Sequence, residues 1–183
     1  VPAVFAGGLP FAHPAPAVIN SGSPLVPCQP IAIPPYEGTF MAQINDLGGG
    51  AHATRLEQSF SPTAANLNKG ILTGQVGVML VDPGHLDADQ PGFEGELFIN
   101  GPSYGKVRVT ATQAAAEGWQ LVGSCVGEPV YYKRFKFCID LKHLHTTDTI
   151  TARAPVWDCS LGFHGAMLWA DGLKWEDWAA ARR

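Results

Sequence analysis

With 183 residues, 46% of them hydrophobic, the chain can bury one core, and its composition excludes a wholly disordered protein. Only 15% of residues are charged and the net charge is −4, so no lysine–arginine stripe exists to neutralise the phosphates of a nucleic acid. Proline and polar residues break every apolar run short of the roughly 18 residues a transmembrane helix needs, so neither nucleic acid nor membrane is an expected partner.

The first 36 residues are unlike the rest. They contain no Asp, Glu, Lys or Arg, and they hold Pro2, Pro10, Pro14, Pro16, Pro24, Pro27, Pro30, Pro34 and Pro35 out of 15 prolines in all. Each proline fixes φ and removes a donor, so the segment must run extended, partly as polyproline II. Ordinary tails stay solvated because they are polar. This one carries Val4, Phe5, Leu9, Phe11, Val18, Ile19, Leu25, Val26, Ile31 and Ile33 between its prolines. Burial of apolar surface returns about 25 cal/mol per Å², so the arm is expected to lie against something. At ~3.3 Å per residue it could reach on the order of 100 Å. It could fold back over its own body or cross a neighbouring subunit. The reach favours the second, which makes those ten apolar residues candidate partner contacts. The chain thus divides into an extended arm, residues 1–36, and a single β-rich domain, residues 37–183.

Beyond Tyr36 glycine replaces proline as the main punctuation, and the segments between breaks are short. Strand patterns are expected over 54–60, 71–81, 96–100 and 106–110, the last a strict alternation in Lys106-Val107-Arg108-Val109-Thr110. One or two helical turns follow over 112–117 before Gly118. Further strands are expected over 119–126, 149–156 and 163–169. The clearest strand follows Gly127-Glu128-Pro129. There Phe135, Phe137, Ile139 and Leu141 share one face, and Arg134, Lys136, Cys138 and Asp140 share the other. Residues 174–181 carry a weak helical signal. The fold class is mainly β: an antiparallel β-sandwich or small β-barrel with a long Pro-rich arm and a short C-terminal helix.

Several constellations invite a chemical reading. His143-Leu144-His145 would place two imidazoles on one strand face, at the rim of the core, but lacks the glutamate of a complete metal site. Gly123-Ser124-Cys125-Val126-Gly127 has the spacing of a nucleophile elbow, yet a strand follows where a helix is needed. The loop bearing Asp82, Asp87 and Asp89 clusters carboxylates without the order of a calcium loop. Lys69-Gly70 lacks the flanking residues of a phosphate-binding loop. Lys133-Arg134-Phe135-Lys136 reads as the solvated face of a strand. Trp175 and Trp178 would share a helix face and, with Trp169, serve core packing or a subunit contact. The four cysteines, Cys28, Cys125, Cys138 and Cys159, have no paired spacing and are expected as free thiols. No catalytic, cofactor-binding or metal-ligating residue is assigned, and chelation is expected to leave stability unchanged.

The layout resembles the decoration (cement) proteins of tailed bacteriophage capsids. The uncharged arm, the strand-rich body and the phrase Asn66-Leu67-Asn68-Lys69-Gly70-Ile71-Leu72-Thr73-Gly74 carry the resemblance. It implies a β-barrel or sandwich body, a homo-oligomer, often a trimer, at a local symmetry axis, and no cofactor. The implied partner is the major capsid protein lattice, with the arm as a clamp across shell subunits. The implied location is the virion exterior, after assembly in the host cytoplasm. On this reading the protein is structural and not an enzyme. The alternatives are another β-type virion component, such as a head-fibre or tail protein, and a glycan-binding β-sandwich that stacks sugars on Trp119, Trp157 or Trp169.

Overall fold

The computed structural model describes residues 17–19, 28–47 and 51–181. Ten strands and three short α-helices are described, with one 3-10 turn at Asp87–Asp89. In chain order they are β1 (Ala17–Ile19), β2 (Met41–Ile44), β3 (Ala53–Phe60), α1 (Ala64–Lys69), β4 (Ile71–Val81), β5 (Gly92–Ile99) and β6 (Ser103–Thr110). They continue with α2 (Ala111–Ala116), β7 (Gln120–Cys125), β8 (Glu128–Asp140), β9 (Ile150–Trp157), β10 (Ala166–Glu176) and α3 (Trp178–Ala181). The strands form two antiparallel sheets, one of six in the order β1-β2-β10-β4-β8-β7 and one of four in the order β3-β9-β5-β6. The fold is the antiparallel sandwich expected from the alternation patterns.

Between the sheets, inward residues alternate with outward ones as the pleat demands. Val78 and Leu80 of β4 and Leu168 of β10 meet Phe93, Val109 and Val156 of the smaller sheet, with Trp119 and Phe135 edge-to-face at 5.3 Å. A second cluster of Leu72, Leu97, Leu141, Leu144 and Ile150 closes one end. The helices are short and stop for local reasons. Thr63 caps α1 by accepting from the Asn66 amide, and Gly70, at φ 79, ends it in the left-handed conformation. The residues Asn66 to Lys69 thus lie in the helix that feeds β4.

A third cluster lies outside the sandwich, on the far face of the six-stranded sheet. Met79, Val81, Val130, Met167 and Trp169 point away from the smaller sheet, and residues 28–36 cover them. Ile33 is 6% exposed in this cluster, while Ile19 and Ile31 pack half-buried beside it. A disulfide joins Cys28 to Cys125. Among the described residues the arm therefore turns back on its own body. Ile19, Ile31 and Ile33, expected as partner contacts, pack against the chain's own body. Val18 pairs with Ala42 through the β1–β2 ladder. Val4, Phe5, Leu9, Phe11, Leu25 and Val26 lie outside the described residues. The reason for the fold-back is the central strand: Val78-Met79-Leu80-Val81 is apolar on both faces, so both faces need a cover.

The disulfide also corrects the expectation of four free thiols. Cys125 ends β7 opposite Glu128, and Val126-Gly127, with φ 52 and 90, make the two-residue hairpin turn. The turn begins one residue before the Gly127-Glu128-Pro129 break at which the sequence suggested a hairpin turn. Cys138 and Cys159 are the free thiols. No helix among the described residues is long and apolar enough to cross a membrane.

Candidate functional site

Where the covering segment leaves the six-stranded sheet, at Tyr36 and Glu37, the outer face of that sheet is open. The outward side chains of three adjacent strands there form a cleft of about 310 Å³. Its floor is Thr73, Gly74 and Gln75 of β4, with Arg134 and Lys136 of β8 on one side. Gly172, Lys174 and Glu176 of β10 lie on the other, and Glu37 forms a wall. The registers explain the grouping: Gln75 pairs with Lys136 and Asp171, and Thr73 pairs with Cys138 and Lys174. An irregularity between Asp171 and Lys174, with Gly172 at φ 64, widens the floor.

The wall is fixed by the same irregularity. The Asp171 carboxylate accepts from the Tyr36 and Glu37 amides at 2.9 and 2.8 Å, and from the Gly172 amide at 2.6 Å. Tyr36 lies across Gly77, where a Cβ would collide with its hydroxyl, and that hydroxyl is 3.2 Å from the hydroxyl of Tyr132. Burial, then the Tyr132 contact, push the Tyr36 hydroxyl far above the usual phenol range, so it stays protonated. The Arg134 guanidinium sits 4.3 Å from the centre of the Tyr36 ring.

Inside the cleft, donors and acceptors alternate. Lys174 Nζ donates to both oxygens of Glu37 at 2.9 Å and lies 3.1 Å from Glu176. Thr73 Oγ1 donates to Glu176 at 3.2 Å. Arg134 Nε donates to Gln75 Oε1 at 2.8 Å, and Lys136 Nζ to the Ala181 carbonyl at 3.2 Å. The Glu37 hydrogen bond, first among several causes, holds Lys174 above its usual range, and Lys174 in turn holds Glu176 below the usual carboxylate range. Pairs as exposed as these contribute little net stability, so exchanging them for a ligand's hydroxyls costs little.

The other sequence candidates do not converge on this cleft. His143 and His145 lie past the end of β8, both exposed around a buried Leu144, and His143 stacks on Tyr104 at 5.7 Å. Strand β8 stops at Asp140, so the two imidazoles do not share a strand face. Cys125 of the elbow-like motif is spent in the disulfide. The acidic loop is engaged by protein donors: Asp82 by Gly84 and Gln90, Asp87 by Thr110, Asp89 by Ser160. Trp175 is in β10 and not on a helix, which begins only at Trp178. Trp119, Trp157 and Trp169 are 5%, 4% and 0% exposed, so none can serve as a sugar-stacking platform. Of the cleft residues, Arg134 and Lys136 were visible as the solvated face of a strand, whereas Lys174 and Glu176 fell in the stretch expected as a helix and lie instead at the end of β10. That Arg134 and Lys136 meet Glu37, 97 and 99 positions away, depends on the covering segment.

No family model matches the chain, and no curated protein matches it. Solved structures with similar folds include the carbohydrate-binding module CBM61 in complex with β-1,4-galactotriose, at TM-score 0.44 and 11% identity over 86% of this chain and 78% of that one. A CBM28 module specific for non-crystalline cellulose aligns at TM-score 0.42 and 14% identity, over 79% of each chain. CBM27-1 of Caldicellulosiruptor saccharolyticus, in complex with mannohexaose, aligns at 0.38 and 12%, over 90% of this chain and 98% of that one. These matches are to carbohydrate-binding modules, and the described part of the arm is occupied by its own body. The resemblance to capsid decoration proteins is thereby overturned, together with the structural virion role, the capsid-lattice partner and the arm as a lattice clamp.

Proposed function

We propose that the protein is a non-catalytic glycan-binding module whose cleft, between Glu37, Arg134 and Lys174, takes a neutral or weakly acidic sugar. The observation that carries this reading is the close alternation of donors and acceptors on an open sheet face. Sugar hydroxyls both donate and accept, so they suit a surface where Lys174, Lys136 and Arg134 stand beside Glu37, Glu176, Thr73 and Gln75. Three cations against two carboxylates leave a slight positive bias, which tolerates an acidic sugar without demanding one. The volume is at the small end of ligand pockets, enough for one or two sugar units with the chain running out along the sheet.

The carboxylates support binding without catalysis. Glycoside hydrolysis needs one carboxyl kept protonated at working pH. Here Lys174 contacts both Glu37 and Glu176 and drives Glu176 the opposite way. The Cys28–Cys125 bridge fits an oxidising compartment, where secreted glycan-binding modules work.

The test is calorimetric titration with galactan-, mannan- and cellulose-derived oligosaccharides alongside a broader glycan array. Saturable binding is expected, weakened at least tenfold in Arg134→Ala and in Lys174→Ala with little change in Tm. Absence of binding across the panel, or binding indifferent to both substitutions, refutes the assignment.

A further inference from the structure

At one end of the sandwich two loops meet, residues 82–91 between β4 and β5 and residues 158–165 between β9 and β10. His85 comes from the first loop, Cys159 and His164 from the second. Their ligand atoms, two imidazole nitrogens and a sulfur, all lie within 4.8 Å of one another. We propose that His85, Cys159 and His164 form a Zn²⁺ site with three protein ligands and one open coordination position.

The geometry is close to what zinc requires. Bond lengths of about 2.3 Å to sulfur and about 2.0–2.1 Å to nitrogen, at a tetrahedral angle, put the two ligand atoms roughly 3.5 Å apart. Cys159 Sγ and His164 Nδ1 are 3.4 Å apart. A thiol–imidazole hydrogen bond would have the same length, so that pair alone decides nothing. His85 decides it. Its Nδ1 is buried and has no hydrogen-bond partner among the described residues. Its ring meets that of His164 edge-on, with centres 5.4 Å apart. An imidazole nitrogen cut off from water needs a partner, and a metal ion held jointly with the sulfur supplies one. The donor set, one thiolate and two imidazoles, is borderline-soft and excludes calcium and magnesium as occupants.

The two loops are held in place before any ion arrives. Ser160 donates to Asp89 twice, from its amide at 3.3 Å and its hydroxyl at 2.5 Å, which ties one loop to the other. Gln90 Nε2 donates to the His85 carbonyl at 2.9 Å and also to Asp82 and Thr112. The Cys159 amide donates to the His164 carbonyl at 2.8 Å, closing the second loop on itself. Phe163, next to His164, is held at φ 71, a conformation that costs a side chain with a Cβ and persists where the surroundings impose it. Cys159 is fully buried, whereas both histidines are half-buried, so an ion would enter from the imidazole side.

The experiment uses the full chain with its disulfide intact, stripped with a chelator and titrated with Co²⁺, whose thiolate complexes absorb in the near ultraviolet. One equivalent of Co²⁺ should produce a sulfur-to-cobalt charge-transfer band that Zn²⁺ abolishes by displacement. Zn²⁺ should raise Tm by several degrees over the stripped protein. Cys159→Ser should lose the band and His85→Gln should weaken Co²⁺ binding at least tenfold. Cys138→Ser, which removes the other free thiol, should change neither. Absence of the band in Co²⁺ excess overturns the proposal, as does a band that survives Cys159→Ser. Should Cys159→Ser fail to fold, unchanged Co²⁺ affinity in His85→Gln overturns it equally.

Discussion

Two residues show how much can rest on single atoms in this fold. Gly77 lies under the Tyr36 ring, and a methyl group there would displace the tyrosine that anchors the cleft wall. Gly77→Ala is expected to cost about 1–3 kcal/mol by overpacking, measured by urea denaturation, and to weaken sugar binding as well. Asp158 is fully buried, with Asn45 Nδ2 donating to one oxygen at 2.8 Å and His52 Nδ1 3.0 Å from the other. Burial, only partly offset by His52 and Asn45, pushes its carboxyl from 3.8 up to about 6. The folded state thus holds this proton more tightly than the unfolded chain. Its contribution is full below pH 3.8 and is lost as pH rises through about 6. Denaturation at several pH values should show wild-type stability falling relative to Asp158→Asn across that window, by on the order of 3 kcal/mol. A constant difference would contradict the shift. Of the two, only Gly77 was legible in the sequence, as one of the glycines inside the strand pattern over 71–81. A glycine inside a strand signals close approach, but not of what, and Asp158 sits among ordinary loop residues.

At the scale of elements, the covering segment and its disulfide give the six-stranded sheet a second buried face. The bridge joins residues 97 apart and so restrains the unfolded chain strongly. Replacing both cysteines by serine is expected to lower stability by about 2–4 kcal/mol, read from urea midpoints, while far-ultraviolet circular dichroism stays that of a β protein. Loss of the β signal would mean that the sandwich cannot form without its cover. The strands themselves were legible: 71–81 matched β4 to the residue, and the alternation over 135–141 lay in β8 to within one residue. Their pairing partners were not, because periodicity gives a strand's faces and says nothing of its neighbours. Cysteine spacing likewise gives no connectivity. The apolar run Val78–Val81 did contain the information that β4 is covered on both sides, and with it the destination of Ile31 and Ile33.

On the scale of the whole molecule, the cleft is an electrostatically self-contained patch on a chain of low charge. Glu176 titrates below its usual range and Lys174 above its own, so both remain ionised from about pH 5.5 to about 9. Glycan affinity measured by calorimetry is expected to be flat across that interval, and a drop of tenfold within it would implicate some other group. The order of strands has a consequence for how the protein is made. β9 lies between β3 and β5, and β10 lies between β2 and β4, so each sheet needs one of the last strands of the chain in its interior. A ribosome that has released residues up to 149 has produced one pair, β1-β2, and one run of three, β4-β8-β7, in the six-stranded sheet and one pair, β5-β6, in the smaller, with the gaps still unfilled. Until β9 and β10 emerge, β3, β5, β2 and β4 expose edges that can pair with any other nascent strand. The chain is therefore expected to fold late, slowly and all at once, and C-terminal truncation should yield aggregates in place of a partly folded domain.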